Sequence, residues 1–352
     1  MRRVLVSLLL ALPLFAQLPA GTSRITFRDD IQNAFYLAAT GDVLWVGSLL
    51  DATIDRVELG GGRTKLNIPP AWQFTTSFAT GPDGALWLGA PGWIARVDPA
   101  TNELKRWPLW TGSVSFILPG PDDNIWFGQD RYVMRMRTDG VLLATYDAGA
   151  NATGAAFGTD GALYLSLPGK LVRITVAGER TEFAASPRRM LLAGADFLWT
   201  TDLRSNAEAQ TPIGEIVKMS YSGETLATYR IDMSPAASDR SGNLWLRAKT
   251  AAGDVVGQLT PSGVLTRFGP LPSPVSTECH PRFFGSVAFL SDGRVAMTDY
   301  YLIAAQTFLS PCFRVPRPEE AKNTITILDP RTAPVLSIET LERTNRRRSA
   351  RH

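Results

Sequence analysis

The chain has 352 residues, 20% of them charged and 45% hydrophobic, which is a globular and not a disordered composition. Its 30 glycines and 24 prolines follow no Gly-X-Y period, so a collagen-like rod is excluded. The formal charge of +3 sits at the ends: Arg2 and Arg3 open the chain, and Arg343, Arg346, Arg347, Arg348 and Arg351 fall in its last ten residues. Without those seven arginines the body carries −4, which does not support a surface that tracks nucleic-acid phosphates. Residues 342–352 read as a solvated, disordered basic tail.

Residues 1–20 have the pattern of an export signal: the Arg2-Arg3 pair, an apolar run of 12 residues from Val4 to Phe15, and Ala16 or Ala20 as the small residue at a cleavage point. Twelve residues are too few to cross a bilayer, which takes about 20, and no later stretch is long and apolar enough. The expectation is a soluble, exported protein, periplasmic or secreted, with residues 21–341 as one domain. Its two cysteines, Cys279 and Cys312, are then most simply a disulfide.

Taken in chain order, one segment recurs. Thr40 to Gly47 is followed by Gly81 to Gly89, Gly120 to Gly128 and Gly158 to Ser166. Weaker copies occupy Ala195 to Thr201, Asp239 to Arg247 and Ser291 to Asp299. The aromatic slot of each copy holds Trp45, Trp87, Trp126, Tyr164, Trp199 and Trp245, with Ala296 in the seventh. Their mean spacing is about 42 residues, the period of a propeller blade. In each unit an apolar strand precedes an Asp-Gly or Asp-Asn turn, which supplies the positive φ of a tight hairpin. The Trp-bearing strand follows, then a strand with a basic residue (Arg96, Arg135, Arg173, Lys218), then a polar outer strand. Seven such units predict an all-β, seven-bladed β-propeller with four antiparallel strands per blade.

The seventh blade is assembled from 285–290, 294–301, 324–328 and 335–339. Arg24 to Phe27 is a further strand expected against the last blade, its position there open. Loops between blades, and loops between the second and third strands of a blade, open on one face. Three of these loops are long: 201–213, 270–284 and 305–323. The two cysteines fall in the last two, so a bridge would pin both over the mouth of the channel or simply brace the ring closure.

The Gly-Pro-Asp-Gly-x-Leu-Trp segment and its apolar-x-Arg-apolar partner strand resemble the streptogramin lyase family, and less closely the regulator-type and NHL propellers. The resemblance implies an elimination that opens a cyclic depsipeptide, performed by histidines and a glutamate at the channel mouth with a Mg²⁺ ion. Family blades read His-Gly-Ile before the turn and Trp-Phe-Thr-Glu after it. None of the equivalent first stretches here, among them Ala34-Phe35-Tyr36, Val114-Ser115-Phe116 and Ser286-Val287-Ala288, contains histidine. The second motif persists only as far as Asp202 and Asp299, with Asp for Glu.

An elimination needs a base near neutral pKa, and histidine is the side chain that serves without a large shift. Only His280 and the terminal His352 are present. A lyase of this type would therefore have to centre on Asp202, Asp299 and His280, with Mg²⁺ on the carboxylates. The alternative roles are a strand-end hydrogen bond for each aspartate and a surface position for the histidine. No Glu-Gly-Pro start of a gluconolactonase-like propeller and no Ser-His-Asp set is found.

Aromatic and basic residues recur in the loops of the channel-mouth face: Trp72, Trp93, Trp110, Arg131, Tyr132, Arg188, Arg282 and Tyr300. Aromatic anchors with arginine suit a glycan, a peptide or another protein ligand, although Trp72 and Trp110 beside prolines or turns would equally suit blade packing. The leading expectation is an exported binding or scaffold propeller that takes such a ligand at its channel mouth without a cofactor. The streptogramin-type lyase stands as the alternative.

Overall fold

A computed structural model describes residues 18–27, 34–48, 53–68, 77–110, 112–185, 190–202, 214–272, 282–301 and 324–342. Strand β1 (Thr22–Thr26) precedes the first blade. Blade 1 is β2 (Ala34–Thr40), β3 (Val43–Ser48), β4 (Thr53–Glu58) and β5 (Arg63–Asn67). Blade 2 is β6 (Ser77–Thr80), β7 (Leu86–Ala90), β8 (Trp93–Val97) and β9 (Leu104–Pro108). Blade 3 is β10 (Val114–Pro119), β11 (Ile125–Gln129), β12 (Tyr132–Met136) and β13 (Leu142–Asp147). Blade 4 is β14 (Gly154–Phe157), β15 (Leu163–Leu167), β16 (Lys170–Ile174) and β17 (Arg180–Ala184). Blade 5 is β18 (Met190–Ala193), β19 (Leu198–Asp202), β20 (Gly214–Met219) and β21 (Thr225–Ile231). Blade 6 opens with β22 (Ser234–Ser238), β23 (Leu244–Thr250), β24 (Gly253–Leu259) and β25 (Val264–Leu271). The chain ends with β26 (Arg282–Phe289), β27 (Val295–Tyr301), β28 (Thr324–Leu328) and β29 (Val335–Thr340). Among the described residues there are seven sheets and no helix, so the fold is a seven-bladed β-propeller.

The recurring turn aspartate has a structural task. In blade 2 the Trp87 indole N–H donates to Asp83 Oδ1 at 3.2 Å, and Arg96 Nε donates to Asp83 Oδ2 at 2.6 Å. Asp122 accepts from Trp126 at 3.0 Å and from Arg135, and Asp160 from Tyr164 at 2.9 Å and from Arg173. Trp87 lies directly opposite Arg96, Trp126 opposite Arg135 and Tyr164 opposite Arg173, so one carboxylate ties a turn to two strands. Burying each indole removes roughly 150–250 Å² from water, on the order of 4–6 kcal/mol. The indole hydrogen bond adds about 1 kcal/mol net. Burial supplies the stability, and the bond fixes how the ring lies.

Those rings sit between blades. Trp87 and Ile94 of blade 2 share a core with Ile125, Phe127 and Met134 of blade 3, and Trp245 and Val256 of blade 6 share one with Val295 and Met297 of blade 7. Close approach between blades explains the glycine two residues after the Trp within the same strand. A Cβ on Gly89 would lie 2.4 Å from the Val114 Cβ of the next blade, so no larger residue fits without parting the blades.

Ring closure departs from the sequence expectation in one respect. Strand β1 pairs antiparallel with β28 over five residues, Thr22 opposite Leu328 to Thr26 opposite Thr324, and takes the outer place of blade 7. Arg24 secures it by donating to Thr326 Oγ1 at 3.4 Å and to the Pro272 carbonyl at 2.6 Å. The 335–339 segment, expected in blade 7, therefore finds that place filled. It crosses back as β29 to pair with β25, making blade 6 five-stranded where four were expected.

Candidate functional site at the channel mouth

The innermost strand of every blade enters from the channel-mouth face. In four blades it makes a bulge within its first residues, between Ala34 and Tyr36, Val114 and Phe116, Pro235 and Ala237, and Phe284 and Val287. A bulge re-aims the extra side chain and commonly borders a site. The residues re-aimed here are Phe35, Ser115, Ala236 and the Gly285–Ser286 pair, none of which titrates near neutrality.

Asp299 lies in β27, with its backbone opposite Thr324 and Phe284, and it is 2% exposed. Arg247 Nη2 of blade 6 donates to Asp299 Oδ1 at 2.6 Å, and its Nη1 donates to the Thr298 carbonyl at 2.8 Å. The guanidinium lies 3.9 Å from the centroid of the Phe284 ring, and the Lys249 Nζ is 5.3 Å from the same ring. Asp299 is thus held in a buried ion pair across the blade 6–7 seam. It does not fit as a Mg²⁺ ligand in this arrangement, since the guanidinium occupies one carboxylate oxygen and repels a second cation. Among the described residues no group of three His, Cys, Asp or Glu side chains is placed to hold a metal. The sequence reading missed Arg247, although an arginine where blades 1 to 3 carry Gly47, Gly89 and Gly128 was a visible signal.

Asp202 closes β19 opposite Glu215, Arg282 opens β26 opposite Tyr301, and Tyr300 pairs with Phe283 in β27. His280, Trp72, Arg188, Cys279 and Cys312 lie outside the described residues, so the disulfide and the histidine remain sequence expectations. Trp93 is 7% exposed and packs with Leu86, Leu88 and Ile54, leaving no face for a ligand. Trp110, in contrast, is 83% exposed.

Trp110 does not stand alone. Gly112, two residues on, packs against the Asp130 carboxylate, two residues before Tyr132, so the loop into blade 3 lies beside the β11–β12 hairpin. Tyr132 is 41% exposed and the Arg131 guanidinium is 5.6 Å from its ring. Arg131 Nε donates to Asp147 Oδ1 at 3.0 Å, which with the Gly149 N–H holds the Asp147 carboxyl below the usual range. Below Trp110 a groove of about 190 Å³ runs between blades 2 and 3, lined by Trp107, Leu109, Phe127, Gln129, Met134, Met136 and Leu142 among others. Trp110 therefore borders an apolar groove, the loop that carries it lies against the hairpin that carries Arg131 and Tyr132, and Trp93 is turned away into the core with blade 1.

The class defined by this geometry is a seven-bladed propeller with an aromatic and basic rim. Solved structures agree on the fold. A streptogramin B lyase structure is 16% identical with a TM-score of 0.62, covering 88% of this chain and 98% of that one. Virginiamycin B lyase from Staphylococcus aureus is 18% identical with a TM-score of 0.62, covering 88% and 100%. The WD40 β-propeller domain of Doa1 is 12% identical at 0.58, covering 89% and 97%. At these identities the likeness is one of fold. No protein-family model matches the chain, and no curated protein does.

Proposed function

We propose that this chain is an exported binding propeller that engages a glycan or a peptide at its channel-mouth face, without catalysing a reaction on it. The observation that carries the reading is Trp110, 83% exposed on a link whose Gly112 lies against Asp130 of the hairpin that carries Arg131 and Tyr132. Aromatic rings with an arginine make a surface of the kind that recognises ligands. The lyase alternative draws less support. Asp299 is bound to Arg247, and the bulged side chains at the channel mouth are not acids or bases.

Glycan and peptide arrays probed with the protein and with Trp110→Ala, Arg131→Ala and Tyr132→Ala test the proposal. A ligand lost in these variants supports it. The lyase reading is tested beside it with a streptogramin B depsipeptide, with and without Mg²⁺, followed by chromatography and mass spectrometry. A Mg²⁺-dependent isomer of unchanged mass that disappears in Asp299→Asn would overturn the binding reading.

A further inference from the structure

The groove beneath Trp110 has a definite chemistry. Its walls are the rings of Trp107 and Phe127, the thioethers of Met134 and Met136, and the Leu142 side chain, with the Gln129 amide the one polar side chain among its lining residues. Its volume, about 190 Å³, is close to that of one large aromatic side chain. Methionines adapt their shape to what enters. A sugar ring would leave most of its hydroxyls unpaired against these walls, which is costly, whereas an aromatic or long aliphatic side chain loses nothing there.

The surroundings narrow the partner further. Trp110 and Leu142 are 83% and 44% exposed, and Val141 and Leu143 beside Leu142 are also exposed, so the apolar character continues beyond the groove. On β9, strand alternation puts Lys105 on the same side as Trp107, facing blade 3. Lys105 is exposed and has no ion-pair partner among the described residues. An extended chain whose side chain fills the groove would bring a residue two positions away towards that ammonium group.

We propose that the groove between blades 2 and 3 is an anchor pocket for a peptide, taking one aromatic or long aliphatic side chain with an acidic residue two positions from it. The inference rests on the binding reading above and selects peptide over glycan. Trp110 forms the lip, Met134 and Met136 the adaptable wall, and Lys105 the charge selector.

The probe is the acetylated, amidated pentapeptide Glu-Gly-Phe-Gly-Glu, acidic on both sides so that chain direction does not matter. Binding is followed by NMR through the Trp110 indole N–H, assigned by its loss in Trp110→Phe. The expected result is a saturable shift of that signal. Replacing the peptide Phe by Ala, or Leu142→Glu in the protein, should weaken binding at least about tenfold. Replacing both Glu residues by Lys should weaken it about threefold or more, and Lys105→Glu should reverse that preference. Leu142 and Lys105 are exposed positions, and circular dichroism is the check that their variants fold.

No shift of the Trp110 signal at millimolar peptide, or a shift indifferent to the Phe→Ala change, would overturn the proposal. A glycan on the array whose binding needs Arg131 and Tyr132 but tolerates Leu142→Glu would also overturn it, while leaving the broader binding reading intact. Failure of both arms would remove both.

Discussion

Arg247 and Asp299, 52 positions apart in the chain, meet at 2.6 Å across the seam between blades 6 and 7, with both side chains almost wholly buried. The guanidinium also holds the Thr298 carbonyl and lies 3.9 Å from the centroid of the Phe284 ring, so it grips three residues of the seventh blade. This contact clamps the two blades that complete the ring.

Arg247→Ala should therefore be among the costly single changes, since it strands a buried carboxylate. The expected loss is about 3–5 kcal/mol. The double change Arg247→Met with Asp299→Leu should recover much of it, because an apolar pair of similar volume removes the uncompensated charge. Urea unfolding of the three proteins measures both. A single variant as stable as the parent would show that the clamp has no energetic role.

Gly89→Val should destabilise the protein by about 1–3 kcal/mol through overpacking against Val114. Gly92→Ala serves as the comparison: it has positive φ but open space around it, so it should cost about 1 kcal/mol from backbone strain alone. Thermal melts of the two variants rank these costs, and equal losses would count against the close-approach explanation.

Acid should weaken the fold through its turn carboxylates. Burial pushes the Asp122 and Asp160 pKa values up, but hydrogen bonds from Asn124 and Trp126, or from Arg173 and Tyr164, outweigh it and hold both carboxyls below their ordinary value. Hydrogen bonds from the Arg331 side chain and backbone lower Asp329 to about 2. A carboxyl lowered in the folded state adds stability above its unfolded pKa of about 4, and that stability fades as pH falls through the folded value. Urea midpoints should be flat near neutrality and decline below about pH 4, and Asp122→Asn should shallow the decline. An unchanged acid limb in that variant would mean that other groups dominate.

Removing the two terminal strands should have unequal effects. Loss of 18–27 uncovers the buried strand Thr324–Leu328, whereas β29 is exposed along most of its length and covers less. The N-terminal deletion is expected to abolish cooperative unfolding, and deletion from Val335 onward to lower the melting temperature while preserving it. Calorimetry distinguishes the outcomes, and the reverse order would contradict the assigned closure.

What could be read from the sequence followed locality. The Asp83–Trp87–Arg96 arrangement lies within 13 residues and recurs, so blade number, strand order and turn chemistry were all visible in it. The Val335–Glu339 segment was recognisable as a strand, but its partner depended on which edge was free. That was decided by residues more than 300 positions earlier, where Arg24 meets Thr326. Likewise Trp93 and Trp110 both follow a turn. Alternation along β8 turns Trp93 inward, while Trp110 lies in the link after Pro108 and is left exposed. Arg247 itself was visible as an arginine at a glycine position, but its pairing with Asp299 was not, because neither strand by itself names the other.

The exchange of places between the two end strands sets a timetable for synthesis. Blades 1 to 5 are each built from one contiguous stretch and can complete as soon as that stretch has emerged. Strand β1 must instead wait for Thr324–Leu328, and blade 6 receives its fifth strand only after Val335–Thr340 has been made. The ring is therefore an unlocked horseshoe until Thr324–Leu328 has been made, and a factor that holds the N-terminal strand during that interval would control when the circle shuts.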